Sequence, residues 1–207
     1  MSSQIASKTQ KQIQSEQTRQ RIIQAATQLF ARKGFYGTSI AHLAQAIGLT
    51  KGALYHHFES KDALFFAVVA SVRDDWNREV ARDVVQGEDA ITRLGILLDE
   101  HTRLLNENDM LCLVLSRLMA EMEDANPEYA AVIHEMYEEL IGFIEHIIQK
   151  GQTTGELRSD LDARLLAFSI VGVLRGIGCY PVLGQMGADR MAMTEALKQM
   201  LFEGIRA

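Results

Sequence analysis

The amino-acid sequence predicts an all-α protein of about nine helices. Apolar residues recur at helical rather than alternating spacing along most of the chain. Only two prolines occur in 207 residues, so few positions forbid a helix. Hydrophobic residues make up 47% of the chain, which is enough for a sizeable core. Together these observations favour a helical, soluble protein over a strand-containing one.

Formal charge is divided unevenly along the chain. Residues 1–64 carry eight Lys or Arg against three Asp or Glu, a net charge of +5. Residues 65–207 carry thirteen against twenty-four, a net charge of −11. A basic segment joined to an acidic body is typical of a nucleic-acid-binding module attached to a part that avoids nucleic acid. Residues 1–17, rich in Ser and Gln, are predicted to form a flexible arm before this module.

Several classes of protein are disfavoured. Cys112 and Cys179 lack metal-ligand spacing, which predicts buried, reduced thiols in a cytoplasmic protein. The most apolar run, 165–183, contains Arg175 and predicts a buried helix rather than a membrane span. We predict no enzymatic activity, because phosphate-binding loops, a nucleophile elbow and HExxH patterns are absent. No cofactor and no bound metal are expected.

The first two predicted helices lie between residues 18 and 47. Gly34 is expected to end the first helix in a left-handed cap, and Thr38 is expected to cap the second. Each helix has one apolar face. These faces comprise Ile22, Ala26, Leu29 and Phe30 on the first helix, and Ile40, Leu43, Ala44 and Ile47 on the second.

A third, short helix is predicted over residues 51–57. Gly48 supplies a sharp turn before it, and Thr50 is its cap. Leu54 and Phe58 stand four residues apart and therefore mark its buried side. Two short helices joined by a glycine turn form a helix-turn-helix, whose second helix presents its N-terminal residues to base edges in the major groove of DNA.

The remaining side chains of this segment suit contacts with DNA. Lys51 can donate to guanine or phosphate, the Ala53 methyl can meet a thymine methyl, and Gly52 permits close approach. Other polar side chains can donate to phosphates, which position the module without reading sequence. The predicted DNA-binding set is Thr38, Ser39, Thr50, Lys51, Gly52, Ala53, Tyr55, His56, His57 and Lys61.

Residues 18–69 resemble the N-terminal domain of the TetR family of bacterial transcriptional repressors. The resemblance rests on Thr-Lys-Gly-Ala-Leu-Tyr-His-His-Phe at 50–58, Ser-Lys-Asp-Ala-Leu at 60–64, and Ala26, Leu29, Phe30, Gly34, Phe35, Thr38, Ile40, Ala44 and Gly48. The resemblance implies a homodimeric repressor on a palindromic DNA operator, released by a small-molecule inducer bound by the C-terminal helices. We therefore predict a DNA-binding domain over 18–64 and a ligand-binding and dimerisation domain over 65–207.

Six further helices are predicted from residue 60 onward. Ser60 is expected to cap the first of them, and Pro127 occupies a favoured first position in the longest. The first of these helices begins after Ser60 and continues through Trp76. The other five are predicted over 89–106, over 109–123 with Asp109 as cap, over 127–150, from Asp160 or Asp162 to Cys179, and from Ala188 onward.

The last two predicted helices are candidates for a subunit interface. Residues 165–177 are apolar nearly all round and must be buried on several sides. A four-helix interface with two helices from each subunit would bury them, and an intrachain core is the alternative. The predicted interface set is Leu165, Phe168, Gly172, Gly176, Met193, Leu197, Met200 and Leu201.

The body also contains candidate ligand-binding residues. Methionines suit an adaptable apolar pocket but serve equally as ordinary core. A buried Arg175 needs an anion, supplied by a ligand or by an acid such as Glu121 or Glu135. The predicted set, for an apolar inducer, is Trp76, His101, Met110, Met119, Met122, Tyr137, Phe143, Phe168 and Arg175. A helical protein-interaction adaptor and an enzyme of the body domain are the alternative functions.

Overall fold

The computed structural model describes residues 9–108, 110–178 and 189–207. In this part of the chain the secondary structure is helical, apart from turns and one isolated antiparallel bridge between Leu157 and Arg206. The all-α prediction is confirmed. The predicted roles of Asp109, Cys179 and Ala188, and the first eight residues of the predicted arm, lie outside the described residues.

The chain forms two compact units that divide after Val68, within a helix, rather than after residue 64 as predicted. A π-helical turn, Asn77–Ala81, follows that helix. The α-helices are α1 (Gln10–Lys33), α2 (Ile40–Ala46), α3 (Lys51–His57), α4 (Lys61–Trp76), α5 (Arg82–Val84), α6 (Ala90–Glu107), α7 (Met110–Ala125), α8 (Pro127–Thr153), α9 (Ala163–Gly178) and α10 (Arg190–Ile205).

Helix α1 begins earlier than predicted. The Thr9 hydroxyl accepts from the backbone N–H of Gln12, and the Gln12 side chain accepts from the backbone N–H of Thr9, forming a capping box. Residues 10–17 are therefore helical, and the predicted arm is wrong over this range. A polar composition does not prevent a helix here, because Gln, Lys and Glu are good helix formers and no Gly or Pro interrupts them.

The cap of α2 is also corrected. Ser39, not Thr38, has the extended backbone of a cap and accepts from the N–H of His42 at 3.1 Å. Thr38 is only 2% exposed, and its hydroxyl donates to the carbonyl of Gly34 at 2.8 Å. Adjacent hydroxyl residues have equal capping chemistry, so backbone conformation decides between them.

The predicted caps at Thr50 and Ser60 are confirmed, whereas the left-handed cap predicted at Gly34 is not. Thr50 accepts from Ala53 N–H at 3.1 Å, and Ser60 accepts from Ala63 N–H at 2.9 Å. Gly48 has φ +70°, a conformation that side-chain-bearing residues rarely adopt. Gly34 also has positive φ, but its ψ of 175° lies outside the left-handed helical region.

The C-terminal unit is a helical bundle in which α8 packs against α6, α7 and α9, and α10 packs against α6. Buried hydroxyls of Thr102 and Thr194 lie 2.7 Å apart and join α6 to α10. Pro127 begins α8 as predicted, and Asp162 accepts from Leu165 N–H at the start of α9. No helix in the described ranges is long and apolar enough to cross a membrane.

The start of α6 is held by two carboxylates. Asp89 accepts from Thr92 N–H at 2.7 Å, which explains why the pKa of Asp89 is lowered. Glu156, distant in sequence, accepts from the N–H groups of Ala90 and Ile91 at 2.9 and 2.8 Å. Both carboxylates satisfy backbone donors that a helix start leaves unpaired.

We predict that Glu156→Ala lowers the free energy of unfolding by about 2 kcal/mol, because two charge-assisted hydrogen bonds to α6 are lost. Thermal unfolding at fixed protein concentration measures the effect. Glu88→Ala, at an exposed position beside the same helix start, is the control and should stay within about 0.5 kcal/mol of wild type. Equal melting temperatures for the two variants would contradict the prediction.

Candidate functional site

Helix α3 presents one polar side outward. Leu54 and Phe58 are buried, as their spacing predicted. Lys51, Gly52 and His56 are exposed, and Tyr55 is 43% exposed; Ala53 and His57 are half-buried. The side chains that remain outside the core are therefore largely those with DNA-contact chemistry.

The position of α3 is fixed by contacts on both sides of its turn. Leu49 N–H donates to the carbonyl of Ala44 at 2.9 Å, closing the glycine turn. Arg21 of α1 donates to the carbonyl of Ile47 at 3.3 Å. The guanidinium of Arg19 lies 4.9 Å from the ring centroid of Phe58. These contacts hold α3 against α1 and α2 and orient its polar side.

Cationic side chains of the predicted DNA-binding set lie beside aromatic rings. The ammonium of Lys51 lies 5.8 Å from the Tyr55 ring, one helical turn away. The half-buried Lys61 places its ammonium 4.2 Å from the Phe35 ring. Ser39 and Thr50 are exposed, but Thr38 is buried and bonded to Gly34. The prediction that Thr38 contacts DNA is therefore wrong, because its hydroxyl is inaccessible.

A cavity of about 260 Å³ lies within the C-terminal unit. Its walls come from α4, the π-helical turn, α6, α7, α8 and α9, and most of its lining is apolar. Of the predicted ligand-binding residues, five line this cavity: Trp76, His101, Tyr137, Phe143 and Arg175.

Four other predicted residues lie elsewhere: Met110, Met119, Met122 and Phe168 do not line the cavity. Met122 is fully buried in the core, whereas Phe168 is 44% exposed. The cavity also contains polar residues that the sequence did not single out, namely Arg73, Asn77, Cys112 and Glu139. Of these four residues, Asn77 lies in the π-helical turn, where the ordinary helical periodicity used for prediction does not apply.

The two ends of the cavity differ in chemistry. At one end the rings of Trp76 and Phe143 pack edge to face at 5.8 Å between centroids. At the other end the guanidinium of Arg175 lies 4.9 Å from the Tyr137 ring centroid. Tyr137 and Phe143 are six residues apart on α8, or about 9 Å along the helix axis at 1.5 Å per residue. One end is therefore aromatic and the other cationic.

Two lining residues carry buried polar atoms without a satisfactory hydrogen bond. These atoms are Nε1 of Trp76 and both ring nitrogens of His101. Burial, assisted by the positive charge of Arg190, lowers the pKa of His101 to about 4; the backbone of Leu174 opposes this shift without forming a well-shaped hydrogen bond. His101 is therefore neutral at pH 7. Burial also raises the pKa of Tyr137 to about 12.

Arg175 is exposed, not buried as predicted. Within the described ranges it forms no ion pair, so neither Glu121 nor Glu135 is its partner. Arg73, the other arginine of the lining, lies 3.6 Å from Glu139. Among the described lining residues, Arg175 is the cation whose charge is not balanced by a carboxylate.

Helices α9 and α10 expose apolar surface. Leu165 is 66% exposed and Met200 is 74% exposed; Phe168, Gly172 and Gly176 are exposed as well. A side chain at either glycine would meet nothing within 4 Å. Half-buried residues at the same predicted interface are Met193, Leu197 and Leu201.

Comparison with known families accounts for both units. The family model described as "Bacterial regulatory proteins, tetR family" matches residues 22–68. The model described as "Tetracyclin repressor-like, C-terminal domain" matches residues 90–200, more than half of the chain. The chain belongs to the TetR family. It is therefore a helix-turn-helix transcriptional regulator, and the family resemblance of its sequence is confirmed.

Relatives in the TetR family match nearly the whole chain. The HTH-type transcriptional regulator UidR of Escherichia coli (strain K12) is 26% identical over 95% of this chain and 93% of its own. The fatty acid metabolism regulator protein of Bacillus subtilis (strain 168) is 22% identical over 89% and 93%.

Solved structures of other proteins share the fold. A TetR transcriptional regulator from Chloroflexus aurantiacus superposes with a TM-score of 0.80 at 25% identity, over 94% of this chain and 98% of that one. The structure of AibR in complex with isovaleryl coenzyme A and operator DNA has a TM-score of 0.74 at 22% identity, over 89% and 97%.

Across the ranges that the structure describes, no three His, Cys, Asp or Glu side chains are grouped as a metal site requires. His134 lies 3.4 Å from Glu123, both on the surface.

We predict that the buried His101 makes this protein sensitive to mild acid. Its pKa is about 4 when folded and about 6.5 when unfolded, so the unfolded state binds the proton first. Stability therefore falls as pH drops from 6.5 toward 4, by about 2 kcal/mol at pH 5 from this group alone. Denaturant unfolding at pH 7 and pH 5 measures the loss.

His101→Gln removes the titrating group and should shrink the loss between pH 7 and pH 5 by that amount. His146→Gln, at an exposed position on α8, is the matched control and should lose as much stability as wild type. If both variants show the wild-type pH dependence, His101 is not the acid-sensitive group.

Proposed function

We propose that this chain is a repressor that binds a palindromic operator as a homodimer and is released by a small-molecule ligand. The observation that carries the proposal is the outward polar side of α3, which is set on the buried anchors Leu54 and Phe58. A short helix fixed in this way can enter the major groove with its N-terminal residues foremost.

The proposed DNA contacts follow from exposure and chemistry. Lys51 donates to a guanine or a phosphate, and Gly52 and Ala53 let the start of α3 approach the bases. Tyr55 and His57 donate to phosphates. The full proposed set is Ser39, Thr50, Lys51, Gly52, Ala53, Tyr55, His56, His57 and Lys61.

The homodimer is supported by the apolar surface of α9 and α10. Leu165, Phe168 and Met200 stand in water in the single chain, and Gly172 and Gly176 leave room for a second backbone. Pairing α9 and α10 with the same helices of a second subunit removes this surface from water. A two-fold dimer then places its recognition helices about 34–36 Å apart, or a multiple of that distance, and reads a palindrome.

Ligand responsiveness is supported by the cavity and by α4. This helix is continuous from Lys61 to Trp76, so it begins in the N-terminal unit and ends in the cavity wall. A ligand that moves Trp76 acts on a helix that the DNA-binding unit shares. The structure of AibR was solved with both a ligand and operator DNA, which shows that a protein of this fold can bind both.

We predict that Lys51→Ala weakens operator binding about tenfold, because each subunit loses one cationic contact. A duplex selected by the wild-type protein from a random pool serves as operator, and fluorescence anisotropy measures affinity against salt. If each wild-type subunit neutralises three to four phosphates, log K falls with log salt at a slope of about −5 to −7. The slope of the variant should be smaller in magnitude by about 2 per dimer.

Lys150→Ala removes the same charge from the exposed end of α8 and is the matched control, with wild-type affinity and slope expected. A wild-type protein that selects no sequence would refute the repressor proposal. A Lys51→Ala variant that binds as the control does would refute the groove assignment.

We predict that Leu165→Glu converts the dimer into a monomer, since a charge enters an apolar interface. Sedimentation velocity at micromolar concentration distinguishes the two states. Val85→Glu changes another exposed apolar residue, away from α9 and α10, and should remain dimeric. A monomeric wild type, or a dimeric Leu165→Glu, would contradict this interface.

A further inference from the structure

We propose that the ligand of the cavity is an amphipathic monocarboxylate, with its apolar body along α8 and its carboxylate on Arg175. The inference rests on the proposed ligand-responsive function and specifies the class of molecule that this site accepts. Its basis is the arrangement of an aromatic end, an apolar middle and an unbalanced guanidinium within one cavity.

The apolar lining of the cavity requires a ligand with an apolar body. Leu104, Leu115, Leu140 and Val171 belong to the cavity lining and are all apolar. A cavity of about 260 Å³ can hold a small molecule with a short apolar body. The separation of about 9 Å along α8 between the aromatic and cationic ends favours an extended chain or a flat ring with a short acid side chain.

The negative charge is required by the electrostatic balance of the lining. Arg73 is compensated by Glu139, and His101 is neutral, so Arg175 leaves the described lining with a net charge of +1. A monoanion neutralises this charge, whereas a phosphate dianion would leave an excess negative charge in a largely apolar site. The planar guanidinium can hold a carboxylate through two parallel hydrogen bonds.

Buried polar atoms of His101 and Trp76 lack hydrogen-bond partners that further atoms of the ligand can supply. Neutral His101 offers one N–H donor and one acceptor nitrogen, and neither is satisfied in the described chain. Its ring contacts the backbone of Leu174, next to Arg175, which places this donor at the cationic end. A carboxylate there can accept from both groups. The Trp76 N–H at the aromatic end selects for an acceptor on the body.

The chain contains one tryptophan, and it lines the cavity, so Trp76 fluorescence reports binding directly. The probes are octanoic, decanoic and 3-phenylpropanoic acids, each with its methyl ester, together with octyl phosphate. Calorimetry on the full-length protein provides an independent measurement. We expect each acid that binds to do so at least tenfold more tightly than its ester, because a charged hydrogen bond to Arg175 is lost in the ester.

Arg175→Gln should abolish the difference between acid and ester while leaving the affinity for the ester unchanged. Arg117→Gln removes an exposed arginine of α7 outside the cavity and is the matched control. Esters that bind as tightly as acids, or an unchanged acid preference in Arg175→Gln, would overturn the proposal. Tighter binding of octyl phosphate, or no response to any acid by either method, would overturn it as well.

The proposed function is tested separately in the same preparation. Failure of the wild type to bind a selected operator would refute the repressor, but acid binding to the cavity would still establish the ligand class. Conversely, if the protein binds its operator but none of the acids, the proposal of a monocarboxylate ligand is refuted and the repressor proposal is not. Release of wild-type protein from DNA by an acid, with a tenfold higher concentration needed for Arg175→Gln, would support both.

Discussion

The burial of Leu54 and Phe58 is the constraint on which the outward polar side of α3 depends. Seven residues are far too few for a helix to persist alone in water, because nucleation costs more than so short a helix recovers. Helix α3 therefore exists only while its two apolar anchors remain in the core. The same two buried residues fix the rotation of α3 about its axis. With Leu54 in the core, Lys51 and Tyr55 face solvent.

Sequence was most informative where structure is set locally. The bounds of α3, the cap at Thr50 and the turn at Gly48 were all predicted, because caps and glycine turns are encoded in neighbouring residues. Local sequence was insufficient at the start of α2, where Thr38 was the predicted cap and Ser39 is the cap in the structure. Both hydroxyls can cap a helix, and only the packed backbone around Gly34 determines which one is buried.

The cavity was only partly predictable for a different reason. Met122 and Tyr137 both occupy helical positions suited to the interior, yet one belongs to the core and the other to the cavity wall. That difference depends on how each helix is rotated in the bundle, which apolar periodicity alone does not specify. Arg175 illustrates the opposite error, since an apolar neighbourhood in sequence predicted burial although its side of α9 is exposed.

The division of charge along the chain constrains both kinds of recognition. The net −11 of residues 65–207 repels DNA and so confines its contacts to the basic segment, an effect that salt modulates strongly. The same acidic body repels an anionic ligand at long range. Binding of a carboxylate therefore has to come from short-range contacts with Arg175, His101 and the apolar walls, where added salt screens little. The proposed operator and ligand contacts therefore differ in their dependence on salt: a change in ionic strength alters the first strongly and the second little.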